Sequence, residues 1–176
     1  MQRSAVLVAL IFSACFVRVP FVGDVPLGGG QESILDSRYR LSYPERESLQ
    51  DQISNIREKS FLAIFVEINP ETNGREVTEY GAQRFDDLVE SGQVLGPERS
   101  VYHLAVLVVD TESGKLSVTT GSVFADYADQ FDHATALELV GQGLRGDLYT
   151  GLLNAVNSLG NNAWDINERI AAEQNN

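Results

Sequence analysis

Two apolar runs decide the fold: Phe-Leu-Ala-Ile-Phe-Val-Glu-Ile at residues 61–68 and Leu-Ala-Val-Leu-Val-Val at residues 104–109. Strands that are half exposed alternate apolar and polar residues, whereas strands of a parallel sheet that is covered on both faces are apolar almost throughout. Both runs have the second pattern. We therefore expect them to be adjacent central strands, buried on both faces by helices.

Helical patterns surround these runs. Ser42 and Glu45 have the spacing of a capping box, and an amphipathic pattern over residues 43–59 follows them. The spacing of apolar residues predicts further helices over residues 78–91, 125–140 and 147–159. We expect Gly160-Asn161-Asn162 to end the last of these, so that residues 161–176 form a separate short amphipathic tail.

The segment after the second run has the pattern of a β-hairpin. Thr111-Glu112-Ser113-Gly114 is typical of a turn, and residues 115–120 are typical of a strand. Asp36 is expected to lie in a loop before the first helix. The order of elements therefore predicts an α/β domain, a three-layer α/β/α sandwich with a small, mostly parallel central sheet plus a hairpin strand.

The N-terminus has the pattern of an export signal. Arg3 precedes the apolar run 5–12, which is too short to cross a bilayer as a helix. Residues 12–15, Phe-Ser-Ala-Cys, also resemble a lipoprotein box, in which Cys15 would be acylated. Plain secretion, a lipoprotein and an uncleaved anchor all remain open. We expect a signal at residues 1–15, a glycine-rich linker at 16–32, and a secreted or periplasmic location, with membrane attachment only through the N-terminus.

Composition excludes several classes of protein. The 176 residues carry 13 basic and 25 acidic side chains, and the net charge is −12. This charge repels nucleic acid and anionic lipid, so we expect no nucleic-acid partner. A single cysteine excludes an internal disulfide. We expect a monomer with an unidentified protein partner in the cell envelope.

Residues 141–146, Gly-Gln-Gly-Leu-Arg-Gly, match the dinucleotide-binding fingerprint in letters only. The fingerprint requires a buried strand before it, whereas residues 134–140 have a helical composition. We therefore interpret these glycines as a break in a helix and expect no nucleotide cofactor. His103 and His133 lack the spacing of a zinc site.

Aspartates recur at positions 126, 129 and 132, which would place them on one side of a helix start. Carboxylates are favoured there by the helix dipole, which is the structural explanation of the pattern. The functional explanation is a calcium site, since calcium prefers oxygen ligands supplied by loops. Asp36 and Asp110 are further candidates. We expect two loops to meet at one end of the sheet: the loop that contains Asp36, before the first helix, and the loop after the hairpin strand. Asp36 would then approach Asp126.

The chain resembles the TPM domain family over residues 33–160. The resemblance depends on the collinear order of several short motifs: Ser33–Asp36, Leu41–Arg46, the run 61–68, Glu79-Tyr80-Gly81, the run 104–109, Leu116–Gly121 and Arg145–Leu152. It implies an exported α/β/α sandwich. Members of the family support photosystem repair in the thylakoid lumen or modulate receptors, some are assigned acid phosphatase activity, and some bind calcium.

Carried over by position, the resemblance makes Asp36 and Asp126 the first candidates for the acidic metal pocket of the family, followed by Asp129 and Asp147. The expected function is a binding or assembly-support module in an extracytoplasmic compartment, with calcium as its candidate ligand. The alternative is a metal-assisted acid phosphatase, in which Asp36 and Asp126 would hold the ion. No catalytic residue is assigned.

Overall fold

The structure is a computed structural model that describes residues 33–90, 103–121 and 133–173. The predicted signal and linker at residues 1–32 lie outside these ranges. The described elements follow in the order β1 (Ile34–Asp36), α1 (Tyr43–Ser60), β2 (Ala63–Ile68), α2 (Val77–Glu90), β3 (Leu104–Asp110), β4 (Lys115–Thr120), α3 (His133–Arg145) and α4 (Leu148–Glu173). None of the helices in the described ranges has the length and apolarity that a membrane span requires.

The four strands form one sheet in the order β1-β2-β3-β4. Strands β1, β2 and β3 are parallel, with Ile34 opposite Val66 and Ala63 opposite Leu104, and β4 is antiparallel to β3. All six residues of β2 and the first six of β3 are buried. The prediction of two adjacent central strands, covered on both faces, is confirmed.

The side chains of these strands alternate between two cores. Ile64, Val66 and Ile68 of β2 belong to the core formed with α1, α3 and α4. Phe65 of β2 and Val106 and Val108 of β3 belong to a smaller core formed with α2. The predicted three-layer α/β/α sandwich is therefore the observed architecture, with three helices on one face and α2 on the other.

The two parallel connections have opposite handedness. Both step in the same direction across the sheet, from β1 to β2 and from β2 to β3. Helix α1 of the first connection lies on one face, whereas α2 of the second lies on the other. Because nearly all such connections are right-handed, the left-handed member of this pair is a rare feature.

The prediction that Asp36 lies in a loop before the first helix is wrong. Ile34–Asp36 is an edge strand of three residues, which is too short to produce a periodic pattern. The capping box is confirmed, since a carboxyl oxygen of Glu45 accepts hydrogen bonds from the Ser42 N–H at 2.7 Å and the Ser42 hydroxyl at 2.6 Å. Phe61, predicted to start a strand, instead ends α1 with a left-handed φ of 56°.

The predicted helix break at residues 141–146 is confirmed only at its end, because the helix stops after Arg145 and Gly146 lies between two helices. Helix α3 continues through Gly141 and Gly143 to Arg145, and α4 follows within three residues. A Cβ atom on Gly143 would lie 2.7 Å from the Cα atom of Gly151 in α4. The glycine therefore serves the contact between two helices, because its missing side chain allows their backbones to approach closely.

A similar contact explains why the predicted stop at Gly160-Asn161-Asn162 is wrong. Helix α4 runs through these residues to Glu173, so residues 161–173 belong to it rather than to a separate tail. A Cβ atom on Gly160 would lie 2.8 Å from Cγ2 of Ile56 in α1. Packing against α1 compensates for the low helix propensity of glycine, which is about 1 kcal/mol below that of alanine.

We expect Gly151→Ala to lower the free energy of unfolding by about 1–3 kcal/mol, measured by urea denaturation. Its methyl group would meet backbone atoms, the Gly143 Cα at 2.6 Å and the Leu139 carbonyl oxygen at 2.9 Å. Gly141→Ala is the matched control, because its nearest neighbours would lie at 3.8 and 3.9 Å. That variant should gain about 0.5–1 kcal/mol from helix propensity. Equal effects of the two variants would contradict the proposed contact.

Candidate functional site

The carboxyl ends of β1, β2 and β3 meet at one edge of the sheet, which we call the carboxyl edge. The chain leaves β1 toward the α1 face, whereas it leaves β2 toward the α2 face. In open α/β sheets, ligands bind in the crevice that forms outside the strand ends where neighbouring connections diverge to opposite faces. The ends of β1 and β2 are therefore the first place to look for a site.

Asp36 is the last residue of β1 and is only 7% exposed. Its Oδ2 atom accepts a hydrogen bond from the Leu41 N–H at 2.8 Å, which holds the loop before α1. Its Oδ1 atom is buried and has no hydrogen-bond partner among the described residues. A buried polar atom without a partner costs about 1–3 kcal/mol. Asp36 is therefore the polar group at this edge with the clearest need of a ligand.

Asn69 follows β2 and is also buried. Its Oδ1 atom accepts hydrogen bonds from the Thr111 N–H at 2.8 Å and the Thr111 hydroxyl at 2.9 Å, and its own N–H donates to the Val109 carbonyl at 2.7 Å. Its Nδ2 atom is buried without a partner in the described part of the chain. The carboxyl edge thus contains one unpaired acceptor and one unpaired donor.

Asp110 is occupied by the hairpin turn. Its Oδ1 atom accepts from the N–H groups of Glu112 and Ser113 at 3.0 and 3.2 Å. Its Oδ2 atom accepts from the Ser113 hydroxyl at 2.6 Å. These bonds give the side chain a structural role in the turn between β3 and β4.

Asp147 lies at the same end of the molecule as Asp36. Helix α4 runs parallel to α1, since Tyr149 contacts Ser48 at 2.8 Å and Asn167 donates to the Ser60 carbonyl at 2.6 Å. The first turn of α4 is therefore near the carboxyl edge.

Both Asp147 oxygens accept hydrogen bonds from Thr150, the hydroxyl at 2.7 Å and the N–H at 3.4 Å. The bond from the hydroxyl is the main reason why the pKa of Asp147 is lowered. The residue, predicted as a metal ligand, is thus engaged as the N-terminal cap of α4.

Asp126 and Asp129 lie outside the described residues, but the residues that flank their segment are placed. The Gly121 N–H donates to the Leu104 carbonyl at 3.0 Å, at the start of β3. On the other side of the segment, His133 contacts the Thr120 hydroxyl at 3.0 Å. Because β4 is antiparallel to β3, both flanks are at the opposite edge from Asp36. The prediction that the chain leaves β1 and β4 at one sheet end is therefore wrong.

Sequence reasoning missed Glu67, a carboxyl group within β2 that is 6% exposed. Its Oε1 atom accepts from the Tyr80 hydroxyl at 2.8 Å, and the Nε atom of Arg84 lies 3.1 Å from its Oε2 atom. Burial first, and then the bond to Glu67, raise the pKa of Tyr80 to about 12. The available signal was the single acidic residue in the apolar run 61–68.

A shallow cavity of about 270 Å³ lies next to this group, on the α2 face. Arg84 lies over the Phe65 ring, with its guanidinium carbon 5.0 Å from the ring centre, and Arg75 lies over the Tyr80 ring at 5.3 Å. Arg75 also donates to the Thr72 carbonyl at 3.0 Å. The cavity is lined by both arginines together with Glu71, Asn73, Tyr80, Gln83 and Asp87. Its cations are thus already partnered, and its lining includes carboxyl groups that repel an anion.

Within residues 33–90, 103–121 and 133–173, no three His, Cys, Asp or Glu side chains cluster as a metal site would require. Asp36 and Asp147 share one end of the molecule without forming such a cluster.

No protein-family model matches the chain, and no curated protein matches it. Several solved structures do match the chain. The N-terminal domain of the cg2496 protein from Corynebacterium glutamicum has 17% identity and a TM-score of 0.58, over 76% of this chain and 80% of that one. The N-terminal domain of a protein from P. gingivalis has 14% identity and a TM-score of 0.56, over 74% and 81%.

The BA42 protein from the psychrophilic bacterium Bizionia argentinensis has 15% identity and a TM-score of 0.61, over 74% of this chain and 86% of that one. At these identities the three similarities show a shared α/β fold.

We expect Asp147→Ala to lower the melting temperature at neutral pH, because α4 loses its cap. The folded-state pKa of Asp147 is below its ordinary value of 3.8, so its ionisation stabilises the fold above that value. The stabilisation is lost as the pH falls through the lowered folded-state pKa. The difference in the free energy of unfolding between wild type and variant, measured by urea denaturation, should therefore shrink as the pH is lowered. A difference that grows at low pH would contradict the assignment.

Proposed function

We propose that the protein is a TPM-like binding or assembly-support module that works in an extracytoplasmic compartment and holds its ligand at the carboxyl edge. The observation that carries the proposal is the buried Asp36 carboxyl group, whose Oδ1 atom has no partner in the described part of the chain. It lies where the connections after β1 and β2 diverge. The collinear TPM motifs support the same function.

Calcium is the ligand that the resemblance implies, and Asp36 offers an oxygen atom suited to it. Calcium takes about 6–8 oxygen ligands, including carbonyl groups and water. The described residues supply too few side chains for a closed site. An ion bound at Asp36 would therefore keep several waters or recruit ligands from residues outside the described ranges. Such a site fits weak, reversible binding.

The arrangement favours a binding module over an acid phosphatase. Asp36 has the same position in the strand alternation as Ile34, whose side chain belongs to the α1 core. Arg75 and Arg84 lie on the α2 face and already have partners. Phosphoryl transfer needs a cation and positive groups around the same phosphate. Here the candidate cation site and these two guanidinium groups are on opposite faces of the sheet. Arg38 and Arg46, which follow Asp36 in the sequence, are engaged by Glu112 and by the Tyr39 ring.

We expect calcium to raise the melting temperature of the wild-type protein and to have no such effect on Asp36→Asn. Ligand at about 100 times its dissociation constant stabilises a protein by about 2.7 kcal/mol. Thermal denaturation with and without calcium measures the shift. The asparagine oxygen still accepts from Leu41, so the variant should fold.

Asp147→Asn is the matched control. It removes a carboxyl group at the same end of the molecule, but from a residue whose oxygens are already engaged in capping α4. It should retain the calcium shift. A wild-type melting curve that calcium does not change would refute the calcium proposal. Calcium-dependent hydrolysis of p-nitrophenyl phosphate that is lost in Asp36→Asn would replace the binding module by the phosphatase.

We expect the natively expressed protein to lack its first residues, cleaved near Cys15, with a diacylglycerol on that cysteine if the lipoprotein box is recognised. Intact-mass spectrometry distinguishes a cleaved secreted form from a lipidated form. A mature protein that still begins at Met1 would contradict both forms and leave the uncleaved anchor.

A further inference from the structure

A groove of about 420 Å³ runs between α1 and α4, on the outside of the three-helix layer. Its volume is in the range of about 300–1,000 Å³ that is typical of small-molecule sites. It lies along the C-terminal half of α1 and the middle of α4. It is therefore a different surface from the carboxyl edge, and it does not depend on the calcium proposal.

The helices are held in place at the floor of the groove. Gly160 lets α4 approach Ile56 of α1 closely. Gln52 of α1 donates a hydrogen bond from Nε2 to Oδ1 of Asn157 in α4 at 2.5 Å. The two walls are thus fixed relative to each other, and a ligand would meet a preformed surface.

The polar chemistry of the groove is dominated by carboxamides. Within the part of the chain that the structure describes, the lining contains Gln52, Asn55, Asn157 and Asn161, with Lys59 as its single charged side chain. A carboxamide presents both a donor and an acceptor, as a hydroxyl group does. The bond between Gln52 and Asn157 leaves one carbonyl oxygen and one amino group for further bonds. The described residues of the lining include no carboxyl group, although the net charge of the chain is −12.

Trp164 supplies an apolar platform beside these amides. It lines the groove and is 46% exposed, although tryptophan is among the side chains with most to gain from burial. A sugar ring has the complementary surface, with C–H groups on one face and hydroxyl groups around its rim. The C–H face packs on an indole, and the hydroxyl groups bond to carboxamides.

We propose that this groove binds a neutral oligosaccharide, with Trp164 under a sugar ring and the carboxamides of Asn55, Asn157 and Asn161 on its hydroxyl groups. A polyanionic glycan does not fit, because Lys59 is the only cation among the described residues that line the groove, and the chain is strongly acidic. A protein partner fits the groove less well than a sugar. The hot spot of a protein–protein interface needs a larger apolar centre, shielded from water, than Ile56 and Trp164 provide.

The experiment uses the full chain with two probes, maltotriose and the trisaccharide of N-acetylglucosamine. Trp164 is the only tryptophan in the sequence, so intrinsic tryptophan fluorescence reports on this groove alone. We expect at least one probe to change the fluorescence saturably and to show saturation-transfer NMR signals from its ring protons. We expect Asn161→Ala to weaken binding roughly tenfold, which corresponds to about 1.4 kcal/mol. Trp164→Ala should abolish the NMR signals.

Asn154→Ala is the matched control, because Asn154 is an exposed asparagine of α4 that does not line the groove. It should bind as the wild type does, and thermal denaturation of all variants checks that each is folded. No response to either probe in the folded wild type would overturn the proposal. Binding that survives both Trp164→Ala and Asn161→Ala would also overturn it, since the sugar would then occupy another surface. Neither result bears on the calcium proposal, because the calcium-induced shift of the melting temperature is assigned to Asp36, on a different surface.

Discussion

The pairing of β2 with β3, with both faces covered, is the constraint on which the rest of the structure depends. All six residue pairs of this ladder, twelve residues in total, are buried. Backbone polar groups in such a place must pair with one another, which the parallel ladder achieves. Each strand then needs an apolar layer above and below it, so helices must lie on both faces. The edge strands and the position of the candidate site follow from this arrangement.

The same constraint explains the buried charge pair between Glu67 and Arg84 on the α2 face. Glu67 faces the smaller core, where an isolated carboxyl group would be costly. The hydroxyl of Tyr80 and the guanidinium of Arg84 lie against it, and Arg84 also covers the Phe65 ring. The group is thus partnered by α2, which it helps to position. The Oε2 atom of Glu67 and the Nε atom of Arg84 have no hydrogen bond among the described residues, but they form an ion pair at 3.1 Å. At the carboxyl edge, Asp36 and Asn69 retain buried polar atoms that have neither a hydrogen bond nor an ion pair among the described residues.

Close helix contacts account for the departures from the sequence patterns. In an isolated helical window, glycine predicts a break or a stop, because it weakens a helix that has no neighbours. In the folded chain, Gly143 and Gly151 bring α3 against α4, and Gly160 brings α4 against α1. The helix continues through such a glycine because the neighbouring helix packs where a side chain would be. That neighbour is distant in sequence, so a local pattern does not contain it.

The sequence by itself determined the elements whose signals are local and strong. The apolar runs predicted β2 and β3 and their burial, the Ser42–Glu45 spacing predicted the start of α1, and the turn residues 111–114 predicted the hairpin. Only the tertiary structure decided which polar groups come together. It made Ile34–Asp36 an edge strand, gave Asp147 to the start of α4 as its cap, and placed the flanks of the Asp126 segment at the opposite edge from Asp36. It also brought Trp164 beside Asn55 of a helix more than a hundred residues earlier. Burial and helical period are encoded over a few neighbouring residues, whereas the meeting of two side chains depends on strand direction and helix packing across the whole chain.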